Sequence, residues 1–85
     1  MLFKEATSRR IIELCDQFNY TTNGIAEKSC IPHKTLYDVV NCESKKHSTY
    51  LIFLLCKGLG IKMTEFYDSP LFDFDNIDEN DLADD

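Results

Sequence analysis

Apolar residues recur along the chain at helical rather than strand spacing. The first segment shows an apolar stripe at positions i, i+3, i+4 and i+7: Ile11, Leu14, Cys15 and Phe18. Such a stripe is typical of an amphipathic helix, so we predict a helix over residues 4–18. No stretch alternates convincingly with a period of two, and the chain has only three glycines. The pattern therefore favours an all-α fold.

Four shorter helices follow, separated by turn-forming residues. We predict the second at 23–29 and the third at 32–41, where Pro32 fits the first turn because its missing N–H costs nothing there. Thr21 or Thr22 has the hydroxyl needed to cap the second helix. The expected inward residues of these two helices are Ile25, Ala26, Leu36, Val39 and Val40.

Hydroxyl residues and glycines mark the ends of the fourth and fifth helices. Ser48 or Thr49 would cap the fourth, and Gly58 to Gly60 would end it, because glycine adopts the left-handed conformation common after helices. Thr64 would cap a fifth helix over residues 65–68. The expected inward residues are Ile52, Leu55, Cys56, Leu59 and Phe66.

Length and composition limit the class of protein. A chain of 85 residues makes one small domain, and its longest unbroken apolar run, residues 50–56, is far too short to cross a bilayer. The charged N-terminus does not resemble a signal peptide, so we expect a cytoplasmic protein without membrane association. We also expect no cofactor.

Charge divides the chain unevenly. Residues 1–62 hold all nine Lys and Arg against six acids, whereas residues 63–85 hold nine acids and no base. An acidic tail, residues 69–85, therefore follows a mildly basic domain, residues 1–68. The tail is either a disordered solubilising terminus, a competitor of DNA for the basic face, or a docking segment for a basic protein partner. Its large apolar residues argue against disorder in at least the first half: Leu71, Phe72, Phe74, Ile77 and Leu82.

The four cysteines lack the spacing of a structural zinc site. Cys15, Cys30, Cys42 and Cys56 contain no CxxC pair, and free thiols are the expected state in a reducing cytosol. Cys30 and Cys42 bracket the third helix and suggest a clasp. A helix of about ten residues separates such ends by roughly 15 Å, too far for a disulfide, so we predict no metal and no clasp.

The order of the second and third helices is that of a helix-turn-helix. Together with Ile31-Pro32-x-x-Thr35-Leu36, Asn41 at the end of the third helix, and Gly58-Leu59-Gly60-Ile61 before Glu65-Phe66-Tyr67, residues 8–68 resemble the Cro and phage-repressor family of DNA-binding proteins (lambda-repressor-like, XRE-type). The resemblance implies a compact five-helix domain that inserts its third helix in the major groove of double-stranded DNA.

The resemblance also implies a set of contacts. The DNA-binding residues would be Thr22, Asn23, His33, Lys34, Thr35, Tyr37, Asp38, Ser44, Lys45 and Lys46. Lys34 suits guanine, whereas Asp38 suits a cytosine amino group but repels phosphate. Tyr37 could equally serve packing, and Lys45 and Lys46 could be an ordinary solvated pair.

The sequence departs from the family pattern in three respects. Cys30 and Cys42 occupy turn positions where relatives favour glycine, at a cost on the order of 1 kcal/mol each for a left-handed backbone. Cys15 and Val40 stand where phage relatives bury an Arg–Glu pair, which leaves an apolar contact. Thr22 replaces a glutamine that contacts phosphate in relatives, so DNA affinity would be modest.

The fourth helix is apolar on every face, although one stripe is enough for a core. A second subunit or the chain's own tail would cover the rest. We expect a homodimer with an interface drawn from Leu51, Phe53, Leu54, Leu71, Phe72 and Phe74.

The predicted function is sequence-specific DNA binding by a dimeric transcriptional regulator, with repression as the expected mode and an operator-like site as the partner. The alternative is a helix-turn-helix used as a protein-interaction module, which acts through its acidic tail and its apolar fourth helix. An enzyme is not expected, because His33 and His47 have no visible nucleophile arranged with them.

Overall fold

The all-α expectation is confirmed. In the computed structural model, the described residues, 1–43 and 49–78, form α-helices and short 3₁₀ helices without a strand. In chain order these are α1 (Phe3–Gln17), α2 (Thr22–Lys28), α3 (His33–Val40), α4 (Thr49–Leu59), α5 (Met63–Tyr67), η1 (Pro70–Phe72) and η2 (Phe74–Asn76). Within those ranges, every helix falls short of what crossing a bilayer requires in length and apolar character.

The core is built from the predicted inward faces. The buried apolar side chains are Ala6, Ile11, Leu14, Cys15, Ile25, Ala26, Ile31, Leu36, Val39, Leu51, Ile52, Leu55, Cys56 and Phe66. Val40 and Leu59 are partly buried at its margin. Spacing at three and four residues thus identified most of the inward residues. Phe18, predicted on the apolar stripe of the first helix, is an exception: it follows the end of α1 and is 36% exposed.

Four helices end in the same way, with one residue in the left-handed region. These residues are Asn19, Cys30, Cys42 and Gly60, with φ of 60°, 58°, 58° and 76°. At each end the next residue donates its N–H back to a carbonyl five positions earlier, as Ile31 does to Ala26 at 2.9 Å. This is the Schellman arrangement, so the prediction of a left-handed backbone at both cysteines is confirmed.

The helix beginnings differ in detail from the prediction. Thr21 caps α2, its hydroxyl accepting from the Gly24 N–H at 3.0 Å. Pro32 is the residue before α3 rather than its first residue. The predicted cap at Thr64 is wrong, because α5 already begins at Met63 and Lys62 precedes it in an extended conformation.

A close approach joins α2 to α4. A Cβ atom added to Gly58 would lie 2.1 Å from Ser29 Oγ and 3.2 Å from Ser29 Cβ. Ser29 is itself 5% exposed, and its hydroxyl has no hydrogen-bond partner among the described residues. Gly58 therefore allows the end of α2 to pack directly on the backbone of α4.

The first part of the predicted tail is folded against the helices. η1 packs on α1, and the Phe72 ring lies 5.7 Å from Phe3 and 5.0 Å from Tyr67. The N-terminal ammonium donates to the Asn76 carbonyl at 2.9 Å, and Asp78 N–H donates to the Met1 carbonyl at 2.7 Å. Residues 69–78 are therefore folded, as their apolar side chains indicated, whereas residues 79–85 lie outside the described residues.

Candidate nucleic-acid interface

The connection between α2 and α3 is short and firmly placed. Cys30 turns the chain in the left-handed region, and its N–H donates to the Glu27 carbonyl at 3.2 Å. Ile31, 4% exposed, inserts its side chain in the core. Backbone hydrogen bonds on one side and an apolar anchor on the other thus fix the direction in which α3 leaves α2.

Helix α3 separates its apolar and polar residues cleanly. Leu36 and Val39 are buried beneath it. Around the rest of its first two turns the structure exposes polar residues: His33, Lys34, Thr35 and Tyr37. Asp38, with 29% of its side chain exposed, lies at the margin of this surface, and we refer to the five residues 33, 34, 35, 37 and 38 as the α3 outer face.

Both basic residues of the α3 outer face lie next to acids. His33 Nε2 is 3.5 Å from Glu27 Oε1, which reaches it from α2 across the turn. Lys34 Nζ is 3.5 Å from Asp38 one turn further along α3. These are long, exposed contacts of the kind that contributes little to stability, so a stronger anion could displace the acids. The charges of Lys34 and Asp38 balance each other when this pair forms.

Helix α3 is held at its C-terminal end by α1. The buried Ser8 hydroxyl donates to the Val40 carbonyl, in the last turn of α3. Nearby, Cys42 Sγ approaches the Lys4 carbonyl at 3.8 Å. Helix α3 is therefore fixed by its core residues and at its end, while its beginning faces outward.

The remaining predicted DNA contacts are less completely placed. Asn23 is exposed at the start of α2, and Thr22 is half-buried there. Ser44, Lys45 and Lys46 lie outside the described residues. The α3 outer face is therefore the best-defined part of the predicted interface.

The predicted dimer interface needs correction. Leu51 is 6% exposed and belongs to the core, because α4 turns it toward the other helices rather than outward. Phe72 packs on Phe3, Phe66 and Tyr67. Leu51 is therefore not available to a second subunit, and Phe72 is covered in part by its own chain.

The other predicted interface residues keep some exposure. Phe53 and Phe74 are 45% and 93% exposed, and Leu54 and Leu71 are half-buried. Tyr50, which the prediction left out, is 65% exposed and stacks on Phe53, with ring centroids 6.0 Å apart. The exposed aromatic surface of α4 is therefore centred on Tyr50 and Phe53.

Arg10 is the most important residue that the prediction missed. It is 9% exposed, and its guanidinium donates to the Phe66 carbonyl at 2.6 Å and to the Glu65 carbonyl at 2.7 Å, while also contacting Glu13. It satisfies carbonyls at the C-terminal end of α5. The available signal was its position four residues before Leu14, on the edge of the apolar stripe of α1.

The cysteines divide into two kinds. Cys15 and Cys56 are buried, and burial raises the pKa of both thiols, so they stay protonated at neutral pH. Cys15 lies in the core against which Val40 packs, in the apolar environment expected for this pair. Cys30 is exposed and Cys42 half-buried, and each carries a free thiol.

Neither a metal site nor a comparison with known proteins assigns a function to the chain. Within residues 1–43 and 49–78, His, Cys, Asp and Glu side chains do not gather in a group of three that could hold a metal ion. Comparison of the chain with protein-family models, with curated proteins and with solved structures gives no match. The function must therefore be argued from the geometry of the chain itself.

Proposed function

We propose that the chain is a DNA-binding transcriptional regulator in which α2 and α3 form a helix-turn-helix. The observation that supports it most is the separation within α3, whose apolar residues are buried while polar side chains at its beginning are exposed. A recognition helix needs this arrangement, because its N-terminal residues contact base edges in the major groove. The lambda-repressor-like arrangement of the five helices belongs to the same proposal.

The side chains of the α3 outer face suit base recognition. Lys34 donates to guanine O6 and N7, and Thr35 both donates and accepts. His33 donates to guanine or to a phosphate. Asp38 accepts from a cytosine amino group while repelling phosphate, which makes it a selector rather than a source of affinity. Repression by occupation of an operator-like site in the cytoplasm is the simplest outcome, and no catalytic role is assigned.

Charge sets the expected strength of binding. DNA must displace Glu27 from His33 and Asp38 from Lys34 before these two basic residues make new contacts. Few phosphates are neutralised by a domain with so small a basic excess, so the affinity should be modest and should fall with salt less steeply than for a strongly basic protein. A homodimer that engages two half-sites about 34 Å apart would compensate for weak single contacts.

The test is selection of bound duplexes from a random DNA pool, followed by fluorescence anisotropy on the enriched site at several salt concentrations. Lys34→Ala should weaken binding to that site about 5- to 100-fold, the range for one base-reading side chain. Lys62→Ala is the matched control, because Lys62 is also exposed but precedes α5. Equal losses for the two variants would indicate charge-driven binding without base reading.

A second candidate is a protein-interaction module with little DNA affinity. The exposed stacked rings of Tyr50 and Phe53 favour it, since large exposed aromatic groups are common in protein interfaces.

DNA binding by two forms of the protein distinguishes the two candidates. One form is the full chain, and the other ends at Asp78, which keeps the folded part of the tail and removes four further acids. Stronger DNA binding by the shorter form would mean that the acidic end screens DNA. Absence of enrichment and of low-salt binding by both forms would overturn the DNA proposal.

A further inference from the structure

The side of α4 that faces away from the core combines aromatic surface with a positive charge. Tyr50, Phe53 and Lys57 stand at i, i+3 and i+7, within about 60° of arc around the helix axis. All three are exposed. We call them the α4 outer stripe. Lys57 forms no ion pair with any residue that the structure describes.

The tail presents the complementary combination. Phe74 is 93% exposed, and the neighbouring Asp73 and Asp75 are exposed as well. These two carboxylates form no ion pair within the described part of the chain. We call Asp73, Phe74 and Asp75 the acidic knob, an aromatic ring flanked by two negative charges.

The acidic knob is held in place by the fold. On one side of it Phe72 is packed among aromatic rings. On the other side Asn76 Nδ2 donates to the Pro70 carbonyl at 2.6 Å, and the Asn76 carbonyl accepts from the N-terminal ammonium at 2.9 Å. A ring presented on such a support loses little conformational entropy when it binds, because its backbone is already ordered.

The acidic knob and the α4 outer stripe do not cover each other within one chain. Phe74 and Tyr50 are 93% and 65% exposed, which excludes their mutual burial, and η1, directly before the knob, packs on α1. The acidic knob and the basic, aromatic α4 outer stripe are both uncovered and are complementary in charge. One copy of the chain therefore carries both surfaces of a possible interface.

We propose that the acidic knob of one copy of the chain docks on the α4 outer stripe of a second copy. Phe74 packs on the rings of Tyr50 and Phe53, and Asp73 and Asp75 flank Lys57. The reciprocal contact closes a two-fold dimer in which each copy gives one knob and one stripe. This interface is the contact that would form the homodimer of the proposed function, and its biological role rests on that function. The dimer itself forms without DNA.

A two-fold dimer of this kind buries two Phe74 side chains, one from each copy. Burying one Phe side chain is worth about 1.5–3 kcal/mol, so its loss from both contacts corresponds to a weakening of the dimer of at least about 100-fold. Sedimentation velocity and light scattering on DNA-free protein measure this. We expect a dimer for the native chain and a monomer at the same concentration for Phe74→Ala. Ile12→Ala is the control, since Ile12 is an exposed apolar residue on α1, 44% exposed.

Two further experiments test the pairing itself. Lys57→Glu should weaken the dimer, and combining it with Asp73→Lys and Asp75→Lys should restore association. Phe74→Ala keeps a stripe and Phe53→Ala keeps a knob, so mixing these two variants should form a heterodimer with one intact contact, tighter than either homodimer. The far-ultraviolet circular dichroism spectrum of each variant should match that of the native chain, because the substituted side chains lie outside the core. The melting temperature should fall only by the part that dimerisation contributes.

Three results would overturn the interface. A native chain that stays monomeric at high concentration contradicts it directly. A dimer that Phe74→Ala leaves unchanged places the contact elsewhere. Open-ended assembly in place of a dimer contradicts two-fold closure. Because every measurement omits DNA, a chain that dimerises in this way yet selects no DNA site would refute only the proposed function.

Discussion

Arg10 and Lys34 are both basic residues on helices, yet the fold uses them in opposite ways. Arg10 is 9% exposed and donates to two backbone carbonyls at 2.6 and 2.7 Å. The Lys34 side chain is 86% exposed and lies 3.5 Å from its acidic neighbour. Short buried bonds to backbone stabilise one architecture, whereas long exposed pairs contribute little to stability and remain exchangeable. The first residue holds helices together, and the second is free to meet a partner.

The same contrast extends from these residues to the elements that carry them. Helix α1 supplies Ser8 to the last turn of α3 and Arg10 to the last turn of α5. Each satisfies a carbonyl that a helix end would otherwise leave without a partner. The exposed beginning of α3 instead offers side chains to solvent. Substitutions in the two regions should therefore differ sharply in their cost to stability.

The largest effect is expected for Arg10→Ala. The change leaves the Phe66 carbonyl without its donor and removes one of two donors from the Glu65 carbonyl, which keeps the Asp68 N–H at 3.3 Å. It also opens space beneath α5, so the free energy of unfolding should fall by about 2–4 kcal/mol. For a domain of this size the melting temperature would fall by roughly 10–25 °C. Circular dichroism melting and urea unfolding measure both quantities.

Arg9→Ala is the matched control for Arg10→Ala. Arg9 precedes Arg10 on the same helix but is exposed, so its loss should change stability by no more than about 0.5 kcal/mol. Similar destabilisation by the two variants would mean that total charge or helix propensity matters and that the bonds to the carbonyls of α5 do not.

The next largest loss of stability is expected for Gly58→Ala, at the contact of Gly58 with Ser29. Gly58→Ala places a methyl group 2.1 Å from Ser29 Oγ, so either the Ser29 hydroxyl must turn away or α2 and α4 must separate, at a cost of about 1–3 kcal/mol. Ser29→Ala alone should be neutral or slightly stabilising, because it removes a buried hydroxyl that has no partner among the described residues. The double variant should recover part of the loss in urea unfolding. Strict additivity would show that the clash is not with this hydroxyl.

These interior contacts mark the limit of what the sequence could predict. Periodicity identified the helices and most of their buried faces, because burial of one stripe repeats every three to four residues. It did not identify Arg10, whose acceptors are backbone carbonyls 55 and 56 residues away. Backbone acceptors carry no sequence signature. Leu51 was misplaced for a related reason, since a helix that is apolar all round does not mark its inner face.

The candidate site was predictable to a different degree. The exposure of Lys34 followed from its position opposite Leu36, and that of His33 from its place as the first residue of α3. The approach of Glu27 to His33 did not, because it depends on the angle at which the turn sends α3 past α2. The left-handed backbone at Cys30 came from the family resemblance rather than from any preference of cysteine.

A smaller effect, of opposite sign, is expected at the turns that bracket α3. Cys30 and Cys42 both have φ of 58°, where a Cβ atom costs on the order of 1 kcal/mol. Replacing both with glycine should raise the free energy of unfolding by about 0.5–1.5 kcal/mol in total, since the greater entropy of unfolded glycine offsets part of the gain. DNA binding should be retained. Replacing both with alanine, which keeps Cβ, is the control and should give no such gain in thermal melting.

The smallest effect on stability, and the one most informative about function, is expected for Asp38→Asn. The exposed pair with Lys34 is worth no more than about 0.5 kcal/mol, so melting should barely change. DNA binding should respond more, because the substitution frees Lys34 and removes a negative charge from the α3 outer face. We expect affinity measured by anisotropy at low salt to rise several-fold. Asp16→Asn changes the net charge equally from an exposed position on α1 and is the control. If both variants gain alike, the α3 outer face has no special part in binding, and the functional contrast between Arg10 and Lys34 fails even though the structural one stands.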